Sequence, residues 1–350
     1  MSNVITVGPK RAMGLIKQAV EADVPVLLVG PPGVGKSDIT RQVADSLQAD
    51  HVVSHPPVED PTDPKGLPWP DAAGGTAHFL PFGQLARVLR ADRLTLWNLE
   101  DLGHASRAVQ GAYMQFVQAR ACGEHTLPAT VRIIATTNRP SDKGAGVDTV
   151  LAPLISRFFL VQIQPALDDW KDWAMRSGVV EEVVSYLTEH PNSLYVDRRT
   201  NDVERTPEPR GWAQASRLLA AGYTMDTLTP LLAGCVGLAC ASELLAHIKH
   251  RVDMVPADVI LAGPATAPIP RNLSALYATT VGLSYRASLK TADAIMVYAE
   301  RLFEAAKGDM AVLLVIDSLR KSTDVVRSAV FRKLATGKLA RELAGLDKDV

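Results

Sequence analysis

Unbroken apolar runs, alternating with stretches of helical periodicity, set the plan of the first half of the chain. Val26–Val29, His51–Ser54, Leu94–Leu99, Val131–Thr136 and Arg157–Ile163 read as strands, being short and rich in apolar residues. Between them Met13, Leu15, Ile16 and Val20 recur at helical spacing over Lys10–Ala22, as do Ile39, Val43 and Leu47. Gln84–Arg90 and Ser106–Arg120 predict two further helices. Strands buried on both faces are continuous apolar runs, so the pattern predicts an α/β fold, a doubly wound parallel sheet, over about residues 1–165.

Past residue 165 the alternation stops and helical patterns take over: Asp168–Ser177, Val179–Glu189, Gly211–Gly222, Leu231–Arg251, Ser274–Arg286, Thr291–Ala306, Met310–Ser318 and Asp324–Leu343. Loops rich in proline and charge, Pro191–Pro209 and Pro256–Pro270, separate some of them. Within the first half, Pro56–Gly83 reads as one long loop of the kind that is functional or mobile, and Cys122–Leu127 as a hairpin. The longest apolar stretch, Leu231–Ala241, falls well short of the roughly 20 residues a membrane-spanning helix needs.

Charge narrows the picture. With 37 basic and 38 acidic residues there is no overall electrostatic footprint for a polyanion, which makes nucleic acid the less expected partner. Three cysteines, Cys122, Cys235 and Cys240, lack zinc-ligand spacing, and the first residues lack the build of a secretory signal, so a cytoplasmic location is expected.

The chemistry begins at Gly30-Pro31-Pro32-Gly33-Val34-Gly35-Lys36-Ser37, a full G-x-x-x-x-G-K-[ST] pattern directly after a predicted strand. Its glycines let backbone N–H groups turn inward onto phosphate oxygens, and the following helix adds the positive end of its dipole. Lys36 would bring a charge to the outer phosphates, and the Ser37 hydroxyl would ligate a Mg²⁺ bridging them. The strand ending Leu99-Glu100-Asp101 supplies two carboxylates at its tip, suited to holding a metal-bound water and polarising an attacking water. The next strand ends at Asn138, whose amide can donate to the terminal phosphate or align that water.

These motifs, in this order, together with Ile155-Ser156-Arg157-Phe158 and Glu208-Pro209-Arg210-Gly211-Trp212, resemble an AAA+ ATPase of the MoxR group. Asp60-Pro61-Thr62-Asp63-Pro64-Lys65-Gly66-Leu67-Pro68 is similar to the opening of that group's insert, and the resemblance is good over about residues 25–220. It implies a P-loop AAA+ core over 1–165 with an insert at 56–83, an all-helical lid over 166–250 and a helical C-terminal extension over 251–350. It also implies ATP and Mg²⁺ as ligands. Gly30–Ser37 would be the Walker A motif, Glu100 and Asp101 the Walker B pair with Glu100 and Ser37 on the metal, and Asn138 the first sensor. Arg157 would be the arginine finger reaching into a neighbouring subunit and Arg210 the second sensor. The implied assembly is a homo-oligomeric ring, usually of six, acting on a partner such as a von Willebrand factor A domain protein. Pro56–Gly83 and Ala121–Leu127 would be the working loops, and Trp69, Phe79 and Phe82 their apolar contacts.

One departure stands out: the group has Asp then Glu at the strand tip, and this chain has Glu100 then Asp101. Each carboxylate is displaced by a methylene, and displacements near 1 Å can cost about 100-fold in rate, so intact binding with slow hydrolysis is expected. A nucleic-acid-remodelling ATPase of the helicase or clamp-loader kind and a nucleotide-gated scaffold are the alternatives.

Overall fold

A computed structural model describes residues 5–71, 74–142, 149–197, 204–249, 253–337 and 340. The chain divides into two compact units, Met1–Ala166 and Leu167–Val350. The boundary expected at 250/251 falls outside the described residues.

The first unit runs β1 (Thr6–Val7), α1 (Pro9–Glu21), β2 (Val26–Val29), α2 (Lys36–Ser46), β3 (Asp50–Ser54), β4 (Leu67–Asp71), β5 (Thr76–Leu80), α3 (Gly83–Leu89), β6 (Thr95–Leu99), α4 (Arg107–Ala119), β7 (Ala121–Cys122), β8 (His125–Thr126), β9 (Val131–Thr137), α5 (Ala152–Ile155) and β10 (Phe159–Ile163). Among the described residues the main sheet has the order β1-β10-β2-β9-β6-β3, every pair parallel. Successive side chains alternate across it. Val26, Leu28, Leu96 and Ile134 face α1 and α2, packing on Ile16, Val20, Ile39 and Val43. Leu27, Val52, Trp97 and Leu99 face α3 and α4. There the Trp97 ring meets Tyr113 and Phe116 edge-on at 5.6 and 5.3 Å. The molecule has an α/β P-loop core with helices on both faces of its sheet, followed by a helical C-terminal region.

The stretch 56–83 departs from a plain loop. After a short 3₁₀ turn at Pro56–Val58 it forms an antiparallel ribbon of β4 and β5, with Pro68 opposite Phe79 and Pro70 opposite Ala77. Two prolines at even spacing share one parity of the strand, so both can sit where the backbone nitrogen faces away from the partner. Leu67, Trp69 and Leu80 are exposed on this ribbon.

The second unit is helical: α6 (Leu167–Arg176), α7 (Glu181–Glu189), α8 (Pro209–Ala220), α9 (Met225–Val236), α10 (Leu238–Lys249), α11 (Ala257–Ala262), α12 (Leu273–Ser284), α13 (Ala292–Glu304), α14 (Gly308–Lys321) and α15 (Ala329–Thr336). The periodicity over 231–251 predicts one helix, and the structure has two. Gly237 breaks the run with φ 84°, and a Cβ there would lie 2.5 Å from the Arg205 carbonyl oxygen. A short helix, α11, also occupies part of the stretch read as the loop Pro256–Pro270. Trp170 and Trp173 pack in the core built by α6 to α10 with Val281 of α12, their rings 6.2 Å apart. A second cluster unites α11 to α15. The buried Lys171 ammonium on α6 donates to Asp317 on α14 at 2.7 Å, and Arg320 bonds the other Asp317 oxygen at 2.8 Å while pairing with Asp168 and Asp172. Among the described residues no helix is long and apolar enough to cross a membrane.

Candidate functional site

The parallel sheet brings the C-terminal ends of β2, β9 and β6 side by side, which places the loop after β2, Asn138 and Glu100 along one edge. The strand order matters: β9 lies between β2 and β6, so Asn138 stands between the loop and the acidic tip.

Within the loop Gly33 and Gly35 adopt φ of 70° and 98°, the left-handed region that a side chain disfavours. Gly30 is required for another reason. A Cβ there would lie 2.4 Å from Ile163 Cγ1 on β10. Pro31 and Val34 are buried, Val34 in the core beneath α2, and Pro32 is exposed. Lys36 opens α2 and is itself buried; its ammonium donates to the Gly30 carbonyl at 2.9 Å, the Pro31 carbonyl at 3.0 Å and Asn138 Oδ1 at 2.6 Å. Ser37, next on the helix, is exposed, and its carbonyl accepts from the Thr40 hydroxyl at 2.9 Å.

At the acidic tip the two carboxylates part company. The Glu100 N–H still bonds the Ser54 carbonyl at 3.0 Å, so Glu100 continues β6 and, by the period of two, points to the same face as Leu96 and α2. Its side chain accepts from Asn98 Nδ2 at 3.2 Å and lies 3.8 Å from His55 Nδ1. Asp101 turns into the left-handed region at φ 53°, donates its N–H to Thr136 Oγ1 at 3.1 Å and is exposed. The reversed order thus places the longer side chain on the helix side and the shorter one in the open.

Arg157 sits just before β10, whose first residue, Phe159, pairs with Val26 at the start of β2. It is therefore at the sheet edge opposite Gly30, and its guanidinium donates to Gln118 Oε1 at 3.1 Å and to the Pro153 carbonyl. Arg210 belongs to the second unit, in the first turn of α8 behind Glu208 and Pro209, and is exposed.

Three participants are absent from the sequence reading: Asn98, Thr40 and Glu59. Glu59 receives the Tyr113 hydroxyl and the His55 N–H, the latter at 3.2 Å, and burial holds its carboxyl above the usual range. Asn98 had a signal, a lone amide in an apolar strand two residues before a candidate ligand. His104, beside the acidic tip, has a buried Nδ1 without a hydrogen bond among the described residues.

Oxygen donors from a serine hydroxyl and a carboxylate suit a hard cation such as Mg²⁺. Among the described residues there is no group of three or more His, Cys, Asp or Glu that could hold a metal ion.

No family model matches the chain. A segment of 61 residues, 17% of this chain, is 39% identical to an archaeal Lon protease of Methanothermobacter thermautotrophicus, and it spans only 10% of that protein's length. Among solved structures, an alanine-to-serine mutant of RuvB from Thermotoga maritima is 14% identical, with 71% of this chain and 69% of that one covered at a TM-score of 0.37. RuvB described as the Thermotoga maritima Holliday junction branch migration motor is also 14% identical, with 86% and 76% covered at a TM-score of 0.35.

Proposed function

We propose that this chain is an ATP-binding and ATP-hydrolysing AAA+ protein of the MoxR-like kind, forming a cytoplasmic ring, of six subunits by that resemblance, that remodels a partner protein. The 2.6 Å bond between Lys36 and Asn138 carries this reading, because it joins the phosphate loop to the end of the neighbouring strand, with Glu100 on the strand beyond. In the proposed cycle the backbone N–H groups from Gly33 to Ser37 take the phosphates, and Lys36 swings from its carbonyls to the outer phosphate oxygens. Ser37 and Glu100 would hold Mg²⁺, which supplies charge neutralisation on the phosphates when bound. Asp101 orients the attacking water and Asn138 reports on the terminal phosphate.

Arg157 supports an oligomer. Gly30 is four residue steps on from Val26, about 13 Å along the strand at 3.3 Å per residue, and Arg157 begins beyond that span. It serves a neighbour's loop, and Arg210 is the proposed second sensor. The exposed Trp69 ribbon and the β7–β8 hairpin are the loops that engage the partner, for which a von Willebrand factor A domain protein is the proposed class. Asp101 is one methylene shorter than the Glu of the group pattern, so turnover is slow.

Binding of a fluorescent ATP analogue and phosphate release test this. Lys36→Ala is expected to lose binding, and Arg157→Ala to keep binding and lose hydrolysis. Mixing Arg157→Ala with Asp101→Asn subunits should recover part of the activity, since each supplies what the other lacks. A wild type that binds no nucleotide refutes the proposal. Strong stimulation by DNA that falls steeply with salt transfers the reading to nucleic-acid remodelling.

A further inference from the structure

We propose that Asn98 is a positioning residue that ties the acidic strand tip to the phosphate-loop helix and so sets the affinity of the site for Mg²⁺ with nucleotide; this rests on the ATPase reading above. β6 is buried from Thr95 to Leu99, and an amide in such a strand is costly unless its groups are bonded. The period of two puts Asn98 on the α2 face with Leu96 and Glu100.

Its bonds have a direction. Nδ2 donates to Thr40 Oγ1 at 3.1 Å and to Glu100 Oε1 at 3.2 Å. The Thr40 hydroxyl has already given its hydrogen to the Ser37 carbonyl, and a carboxylate only accepts, so both partners require the NH₂ side of the amide and its orientation is determined. A continuous chain results: Ser37, Thr40, Asn98, Glu100. It links the two residues proposed to hold the cation through two side chains that are not themselves proposed ligands.

The remaining atom argues for function. Asn98 Oδ1 is buried and, among the described residues, has no hydrogen-bond partner. An apolar side chain of the same shape would leave no orphaned acceptor, so stability alone does not favour Asn here. Local rules broken in this way mark functional positions.

The test compares wild type and Asn98→Leu as full chains, titrating Mg²⁺ against binding of a fluorescent ATP analogue, with the metal-free affinity measured in chelator. The Mg²⁺ midpoint should rise about 10- to 100-fold, the range for lost outer-shell partners of metal ligands, with the metal-free affinity unchanged. The melting temperature should hold or rise. In a Glu100→Gln background, Asn98→Leu should shift the midpoint no further, because its effect passes through Glu100. Thr40→Val breaks the same chain one bond earlier and should raise the midpoint severalfold, which keeps the test open if Asn98→Leu folds poorly. An unmoved midpoint, a metal-free affinity that falls in step, or shifts that add in the Glu100→Gln background overturn the inference alone. A wild type without Mg²⁺-dependent nucleotide binding overturns both it and the ATPase reading.

Discussion

Asp317 is the hub on which the second unit's charged core turns, and removing its charge should cost more than removing either cation. The carboxylate is fully buried, with Lys171 at 2.7 Å on one oxygen and Arg320 at 2.8 Å on the other. At an effective dielectric near 20, each contact is worth about 6 kcal/mol of attraction before desolvation is subtracted. Desolvation is large: burial pushes the Lys171 ammonium below its ordinary pKa despite the adjacent carboxylate. Asp317→Asn leaves Lys171 buried without its partner, and the expected loss is about 3–5 kcal/mol. Lys171→Met leaves Asp317 still bonded to Arg320, so the loss is that of one charge-assisted hydrogen bond, about 1.5–3 kcal/mol. In the double variant Lys171→Met with Asp317→Leu no buried charge is stranded, since Arg320 keeps Asp168 and Asp172. It should be more stable than Asp317→Asn alone. Urea unfolding followed by tryptophan fluorescence reads this, Trp170 being the neighbour of Lys171 on α6. Equal losses for the two single variants, or a double variant whose loss is the sum of its parts, would refute the hub.

Glu59 predicts a pH dependence. Burial raises its carboxyl above the ordinary 4.5, so the proton retained by the folded protein contributes stability that is full below 4.5 and lost as pH rises through the raised folded value. Glu59→Gln stays neutral and still accepts from Tyr113, so its stability relative to wild type should climb from acid to neutral pH; a difference flat with pH excludes this. Gly30→Ala places a methyl 2.4 Å from Ile163 Cγ1 and should cost about 1–3 kcal/mol. Ile163→Ala removes the clashing atom, so the two losses should combine to less than their sum in thermal melts; additive losses point to another origin.

What could be read in advance follows from how local each signal is. The strands of the parallel sheet and the phosphate loop were legible because apolar runs and the glycine-lysine spacing are written in adjacent residues. The ribbon of β4 and β5 was hidden by Pro68 and Pro70, which suggest a loop unless their shared parity is noticed. The break at Gly237 was hidden because apolar positions continue across it; the cause is the approach of the Arg205 carbonyl, from about thirty residues away. Of the candidate site, Lys36, Glu100 and Asn138 are legible in local motifs, and the structure gathers them on one sheet edge. Asn98 and Thr40 escaped because their meaning lies in a contact 58 residues apart in sequence.

Lys36 is tied into the loop from within. With three oxygens already around its ammonium, the loop holds an internal stand-in for the contacts a phosphate would make. On the proposed function, nucleotide entry would exchange these partners for phosphate oxygens, and the affinity would be the difference between two sets of bonds. Run backwards, the same exchange would return the lysine to the Gly30 and Pro31 carbonyls as the proposed product leaves.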